Sequence, residues 1–211
     1  MKKISILFFA LLLVVGAYGQ ELSAPSGQES KTPTEKGSLW LGGTFNILSL
    51  FGNFYANSTN VIINPFGSFF IKDNIMVGGM IQMVLGFQEN FSQSAFNIGP
   101  WVGYAFKKFK PGEETVGAVI PFAKVGFLLA GNSTKFEDWK TTTSGISIPI
   151  GGGIIYTISR TLGLVGDISF SLDSMKIKDN DRAAAMAEEN GATGGNRFVI
   201  SLGLAFTRFG K

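Results

Sequence analysis

Few residues in this chain could do chemistry, and the missing types decide most. Among 211 residues there is no histidine and no cysteine. Without imidazole, no side chain exchanges protons near neutral pH at its ordinary pKa, which counts against acyl transfer, lipid deacylation and histidine-dependent proteolysis. Without thiols there are no disulfides and no thiolate metal sites. Asp167 and Asp173 are the nearest thing to a carboxylate pair. Six residues along one strand separate them by ~20 Å, too far to act on one substrate atom. Asp179-Asn180-Asp181 is rich in oxygen but lacks the glycine and distal glutamate of a calcium loop at the required offsets. Gly151-Gly152-Gly153 leads into no helix, so it is not a phosphate cradle. No catalytic, cofactor-binding or metal-ligating residue is expected.

The elements that carry these residues are strands. Apolar residues alternate with small or polar ones at a period of two in eight stretches, which places them on one face of a sheet. From Leu162 to Asp173, Leu162, Leu164, Ile168, Phe170 and Leu172 alternate with Gly163, Asp167, Ser169, Ser171 and Asp173. The same reading puts Trp40, Thr44, Phe66, Phe70, Gln82, Asn97, Trp101, Phe122, Ser147 and Ser201 on the second face. A strand with one continuous oily face suits a barrel wall in lipid, whose oily side chains point outward. Each stretch reaches the roughly 9 to 11 residues that cross a bilayer on a tilt. The second face also carries Lys72, Lys107, Lys124, Asp167, Asp173 and Arg197. Unpaired charge in a narrow interior is costly, so Lys124 with Asp167, and Asp173 and Arg197, are expected to pair structurally.

Connectors supply a second test. Asp73-Asn74, Ser159-Arg160 and the turn around Lys110-Pro111-Gly112 are short, whereas Ser49 to Thr59, Glu89 to Gln93, Gly131 to Thr143 and Ser174 to Gly195 are longer. Short periplasmic turns alternating with longer extracellular loops predict an all-β fold: an eight-stranded antiparallel up-and-down transmembrane β-barrel. Its interior is only wide enough for its own side chains, so it is not a general pore.

The start of the chain fits export. Lys2 and Lys3 precede a mostly apolar run from Ile4 to Val15 and small residues before Gln20, the pattern of a signal peptide over 1–19. Residues 20–37, rich in Ser, Pro, Thr, Lys and Glu, read as a flexible periplasmic segment ahead of a barrel domain over 38–211. Leaving out Lys2 and Lys3, the 18 basic residues become 16 against 15 acidic ones. Nucleic acid is therefore not an expected partner.

Pro65 to Gly79 forms a strand, an Asp-Asn turn and a glycine-rich returning strand. With Gly99 to Phe106, Pro121-Phe122-Ala123 and the terminal Phe198 to Phe209 strand, it resembles the outer-membrane protein beta-barrel domain family of small Gram-negative eight-stranded barrels. The resemblance covers about Leu39 to Phe209 and implies a fold and the cell outer membrane, with no catalytic residues. One departure is that Phe209 is followed by Gly210-Lys211, where such barrels favour a final aromatic residue. The expected function is a non-enzymatic structural or surface-interaction role in the envelope, with outer-membrane lipid and surface or periplasmic proteins as partners. Two alternatives stay open: a barrel component of an export or assembly machine, and a soluble lipocalin-like carrier whose oily parity would face a ligand cavity.

Overall fold

Alternation along the chain becomes a closed wall. The computed structural model describes residues 32–46, 49–51, 59–88, 91–110, 113–136, 139–179 and 194–208. In chain order its strands are β1 (Leu39–Asn46), β2 (Ser49–Phe51), β3 (Thr59–Lys72), β4 (Ile75–Gln88), β5 (Phe91–Ala105), β6 (Val119–Gly126), β7 (Leu128–Phe136), β8 (Trp139–Thr157), β9 (Leu162–Asp179) and β10 (Gly194–Arg208). All pairings are antiparallel between chain neighbours, and β1 closes the circle against β10, with Leu39 opposite Arg208 and Phe45 opposite Leu202. Because β1 and β2 share one place beside β10, and β6 and β7 share one place between β5 and β8, the wall has eight strands.

The break at Phe127 has a local cause. Phe127 donates to the Pro100 carbonyl on β5 at 3.0 Å, and Gly126 lies beside Pro149 on β8. Neither proline has an N–H, so neither can return a bond to that strand. The side-chain parity still runs through the break, with Phe127 and Leu129 outward and Leu128 buried.

The oily parity faces outward in all eight wall strands. Leu202 is 71% exposed and Leu129 62%, and Phe69, Phe96, Ile154, Ile168 and Phe170 are exposed with them. Trp40, Phe70, Trp101, Asp167, Ser171, Arg197 and Ser201 are buried inside.

Three expectations need correcting. At the end away from the termini, β7 reaches Phe136 and β8 starts at Trp139, so most of the loop expected over Gly131 to Thr143 is strand. Asn132, Ser133 and Thr134 pair there with Thr143, Thr142 and Thr141. Both faces are polar, so no oily alternation marks these residues, yet β-branched threonines favour the ladder. Conversely, the connector around Lys110 is longer than expected, running from Phe106 to Ala118. The Glu113 N–H donates to the Lys110 carbonyl at 3.0 Å across the expected turn, whose Pro111 and Gly112 lie outside the described residues. Phe109 of this connector packs against the core. Finally, residues 32–37, expected within a flexible segment, are bound to the barrel mouth. Gly37 donates to the Phe70 carbonyl at 2.8 Å and Asn74 to the Thr34 carbonyl at 2.8 Å.

Candidate functional site

The interior divides into two halves along the barrel axis. At the end holding the termini, Trp40, Phe70, Met76, Met80, Trp101, Ile120, Phe122, Leu128, Ile155 and Val165 form one buried cluster. Trp40 meets Phe70 edge-on with ring centres 5.0 Å apart, and Phe66 meets Trp101 at 6.4 Å. The Trp101 ring fits because glycine stands opposite it on β4 and two residues on along its own strand. A Cβ at Gly78 would stand 2.8 Å from its indole nitrogen, and one at Gly103 2.9 Å from its ring edge.

A strap of the chain covers this cluster. Thr32, Pro33, Thr34 and Ser38 are buried in the mouth. The Trp40 indole N–H donates to the Pro33 carbonyl at 2.9 Å, and the Ser38 hydroxyl to the Thr32 carbonyl at 2.9 Å. Asn74, in the left-handed region at φ 68°, uses its side-chain amide to hold the carbonyls of Ala105 and Lys107. An asparagine tolerates that backbone shape, which is why the Asp-Asn turn works. Composition hid the strap. The available signal was Trp40 itself, since a buried indole N–H needs an acceptor.

Mid-barrel, the Lys124 ammonium stands 2.7 Å from Asp167 Oδ2. That approach lies outside hydrogen-bond geometry, so the attraction is between charges. The two residues sit on β6 and β9 with β8 between them. Lys124 is opposite Gly151, and Asp167 opposite Gly153. Gly151 and Gly153, on the inward parity of β8, thus leave the gap across which the lysine reaches the aspartate. Beside the pair is an enclosed cavity of about 40 Å³ lined in part by Thr44, Gln82, Trp101, Phe122 and Ser169. It is far below the roughly 300 Å³ at which small-molecule pockets begin. A larger depression, about 530 Å³, opens on the outer wall beside Phe127, Ile146, Ile148 and Leu172, away from this chemistry.

Beyond the pair the interior turns to amides and hydroxyls. Asn97 donates to Gln82 at 2.8 Å and Asn64 to Thr44 at 3.1 Å. Arg197, only 2% exposed, brings Nη2 to 3.8 Å from Asp173 Oδ1, too long for a hydrogen bond. Ser147 and Asn46 keep polar side-chain atoms without protein partners. Among them sits a small apolar cluster of Ile62, Val84, Ala95 and Val199.

Two cations expected inside are not lumen groups. Lys72 is exposed at the β3–β4 turn, where the register shifts after Phe70. Lys107, about one-third exposed, pairs with Glu113 at 2.7 Å. The Lys107 side chain and the Lys110 backbone N–H together hold the Glu113 carboxyl below its usual pKa. Asp179 closes β9, while Asn180 and Asp181 lie outside the described residues.

No protein-family model and no curated protein sequence matches the chain. Solved structures do match it. Neisserial surface protein A superposes with a TM-score of 0.57 at 10% identity, covering 81% of this chain and 97% of that one. The outer membrane protein OprG from Pseudomonas aeruginosa gives 0.55 at 9%, covering 85% and 100%. The N-terminal β-barrel domain of OprF, from the same organism, gives 0.53 at 10%, covering 82% and 98%. At such identities the likeness is one of fold, and that fold is the small eight-stranded outer-membrane β-barrel.

Proposed function

We propose that the chain is a non-enzymatic integral protein of a Gram-negative outer membrane, with a structural or surface-interaction role in the envelope. The observation that carries this is the pairing of an outward belt of Ile, Leu, Val and Phe with an interior filled by its own side chains. Exposed apolar surface encircling a molecule is costly in water and favourable in acyl chains. A closed ladder removes the unpaired backbone groups that lipid would not tolerate. The plugged mouth and the packed aromatic cluster oppose a general pore. A soluble carrier would need the oily parity inside, and it faces out. In this reading residues 1–19 are a removed export signal and the strap end faces the periplasm. One solved neighbour is a surface protein by name, in keeping with outward loops that meet partners.

Fractionation combined with surface proteolysis tests this. The mature chain should stay with outer membranes until detergent is added, and protease on intact cells should cut within residues 174–195. A mature protein that is monodisperse in plain buffer would overturn the reading.

A further inference from the structure

Three lipid-facing rows run down the wall toward the strap end, and each finishes on a cation. On β5 and just past it, Phe96, Ile98, Val102, Tyr104 and Phe106 lead to Lys108. On β8 and its turn, Ile150, Ile154, Tyr156 and Ile158 lead to Arg160. On β10, Ile200, Leu202, Leu204 and Phe206 lead to Arg208. Lys108, Arg160 and Arg208 are all exposed. Among the described residues, no acid lies within ion-pair distance of any of the three. Two acids at this end are engaged elsewhere, Glu113 with Lys107 and Asp73 with the backbone N–H of Lys36, and Glu35 and Glu114 form no ion pair with any of the three cations.

The opposite ends of these strands differ. Their outward positions are Ser92 and Ser94 on β5, Ser144 on β8 and Asn196 on β10. The sequence around them carries both signs, with acids at Glu89, Glu137, Asp138, Asp181, Glu188 and Glu189 and cations at Lys135, Lys140, Lys176, Lys178 and Arg182.

We propose that Lys108, Arg160 and Arg208 form a collar that binds the phosphate headgroups of anionic phospholipid in the leaflet at the strap end. An aromatic residue stands two positions before Lys108 and Arg208 (Phe106 and Phe206) and four before Arg160 (Tyr156). An aromatic ring followed by a long cationic side chain is the arrangement expected at the boundary of acyl chains and headgroups. The ring stays at the interface while the cation extends to the phosphates. Arg160 and Arg208 are neighbours in the structure, because the Thr207 hydroxyl donates to the Arg160 carbonyl at 3.3 Å and the Thr207 N–H to the Thr161 carbonyl at 2.9 Å. Two guanidinium groups from adjacent chain segments suit a phosphate, which each can grip in bidentate fashion. A ligand in the lumen does not explain the collar, since the cations lie on the outer rim and the mouth inside them is filled by the strap.

The proposal rests on the barrel spanning a membrane, so the test separates the two. Mature protein is first refolded into vesicles of phosphatidylcholine alone, where insertion reports on membrane residence independently of the collar. Bound lipid is then compared by native mass spectrometry in micelles carrying equal phosphatidylglycerol and phosphatidylcholine. Wild type should retain phosphatidylglycerol in preference, and each of Lys108→Gln, Arg160→Gln and Arg208→Gln should lower that preference about fivefold. High salt should also weaken it. Lys135→Gln and Lys176→Gln, at the other end, should leave it unchanged. A triple glutamine variant that inserts normally and keeps the wild-type preference would overturn the collar, as would a wild type with no preference. Failure to insert into neutral vesicles would instead overturn the membrane reading.

Discussion

The two halves of the barrel interior are built on different physics, although the same kind of oily wall surrounds both. Around Trp40, Phe70, Trp101 and Phe122 the interior packs like the core of a soluble domain, with rings edge to edge and a strap closing it. Past the Lys124–Asp167 pair, Ser147, Thr143 and both side-chain polar atoms of Asn46 lack protein partners and Arg197 meets Asp173 only loosely, against the Trp101 indole N–H and the Ser68 hydroxyl in the packed half. In lipid the outer belt contributes little to holding strands together, because acyl chains are as apolar as leucine. Stability should therefore concentrate in the packed half, while the far half tolerates change.

The largest expected effect tests the packed half. Trp40→Ala leaves a cavity under the strap and removes the donor to the Pro33 carbonyl, so it should cost about 5 kcal/mol in urea unfolding from vesicles. At the border, Lys124→Met strands the buried Asp167 carboxylate and should cost about 3 kcal/mol. The double variant Lys124→Met with Asp167→Leu should recover most of that loss. In the far half, Ser147→Ala deletes a hydroxyl that has no protein partner, and should change stability by about 0.5 kcal/mol or less. A serine variant as costly as Trp40→Ala would erase the contrast between the halves. A double variant no better than Lys124→Met would show that Asp167 answers to something besides the lysine.

The sequence carried the wall plainly and the mouth poorly. Rows such as Leu164, Ile168, Phe170 and Leu172 are legible because one face meets lipid and the other does not, so the period of two survives. Where both faces are polar, as at Thr141 to Ser144, nothing alternates and the strand ends are misjudged. From the sequence, the glycines at 151, 152 and 153 show only that no helix follows them. The role of Gly151 and Gly153 as a gap between Lys124 and Asp167 depends on which strands flank β8, and spacing within one strand does not contain that. Lys107 shows the same limit: its parity pointed inward, but its carboxylate partner lies six residues on, in a connector whose path the local sequence left open. The strap escaped notice because its contacts are backbone carbonyls, and these leave no mark on residue type.

Leu39 and Arg208 face each other across the closing seam. Every other adjacent pair of wall strands is joined by its own connector, whereas this pairing brings together the two ends of the wall. It is consequently the one that carries the largest loop-closure entropy in the fold. A covalent link across it, such as a designed crosslink between the ends, would turn the chain into a ring with no first or last strand, and the gain in stability would measure what the open chain gives up to become a cylinder.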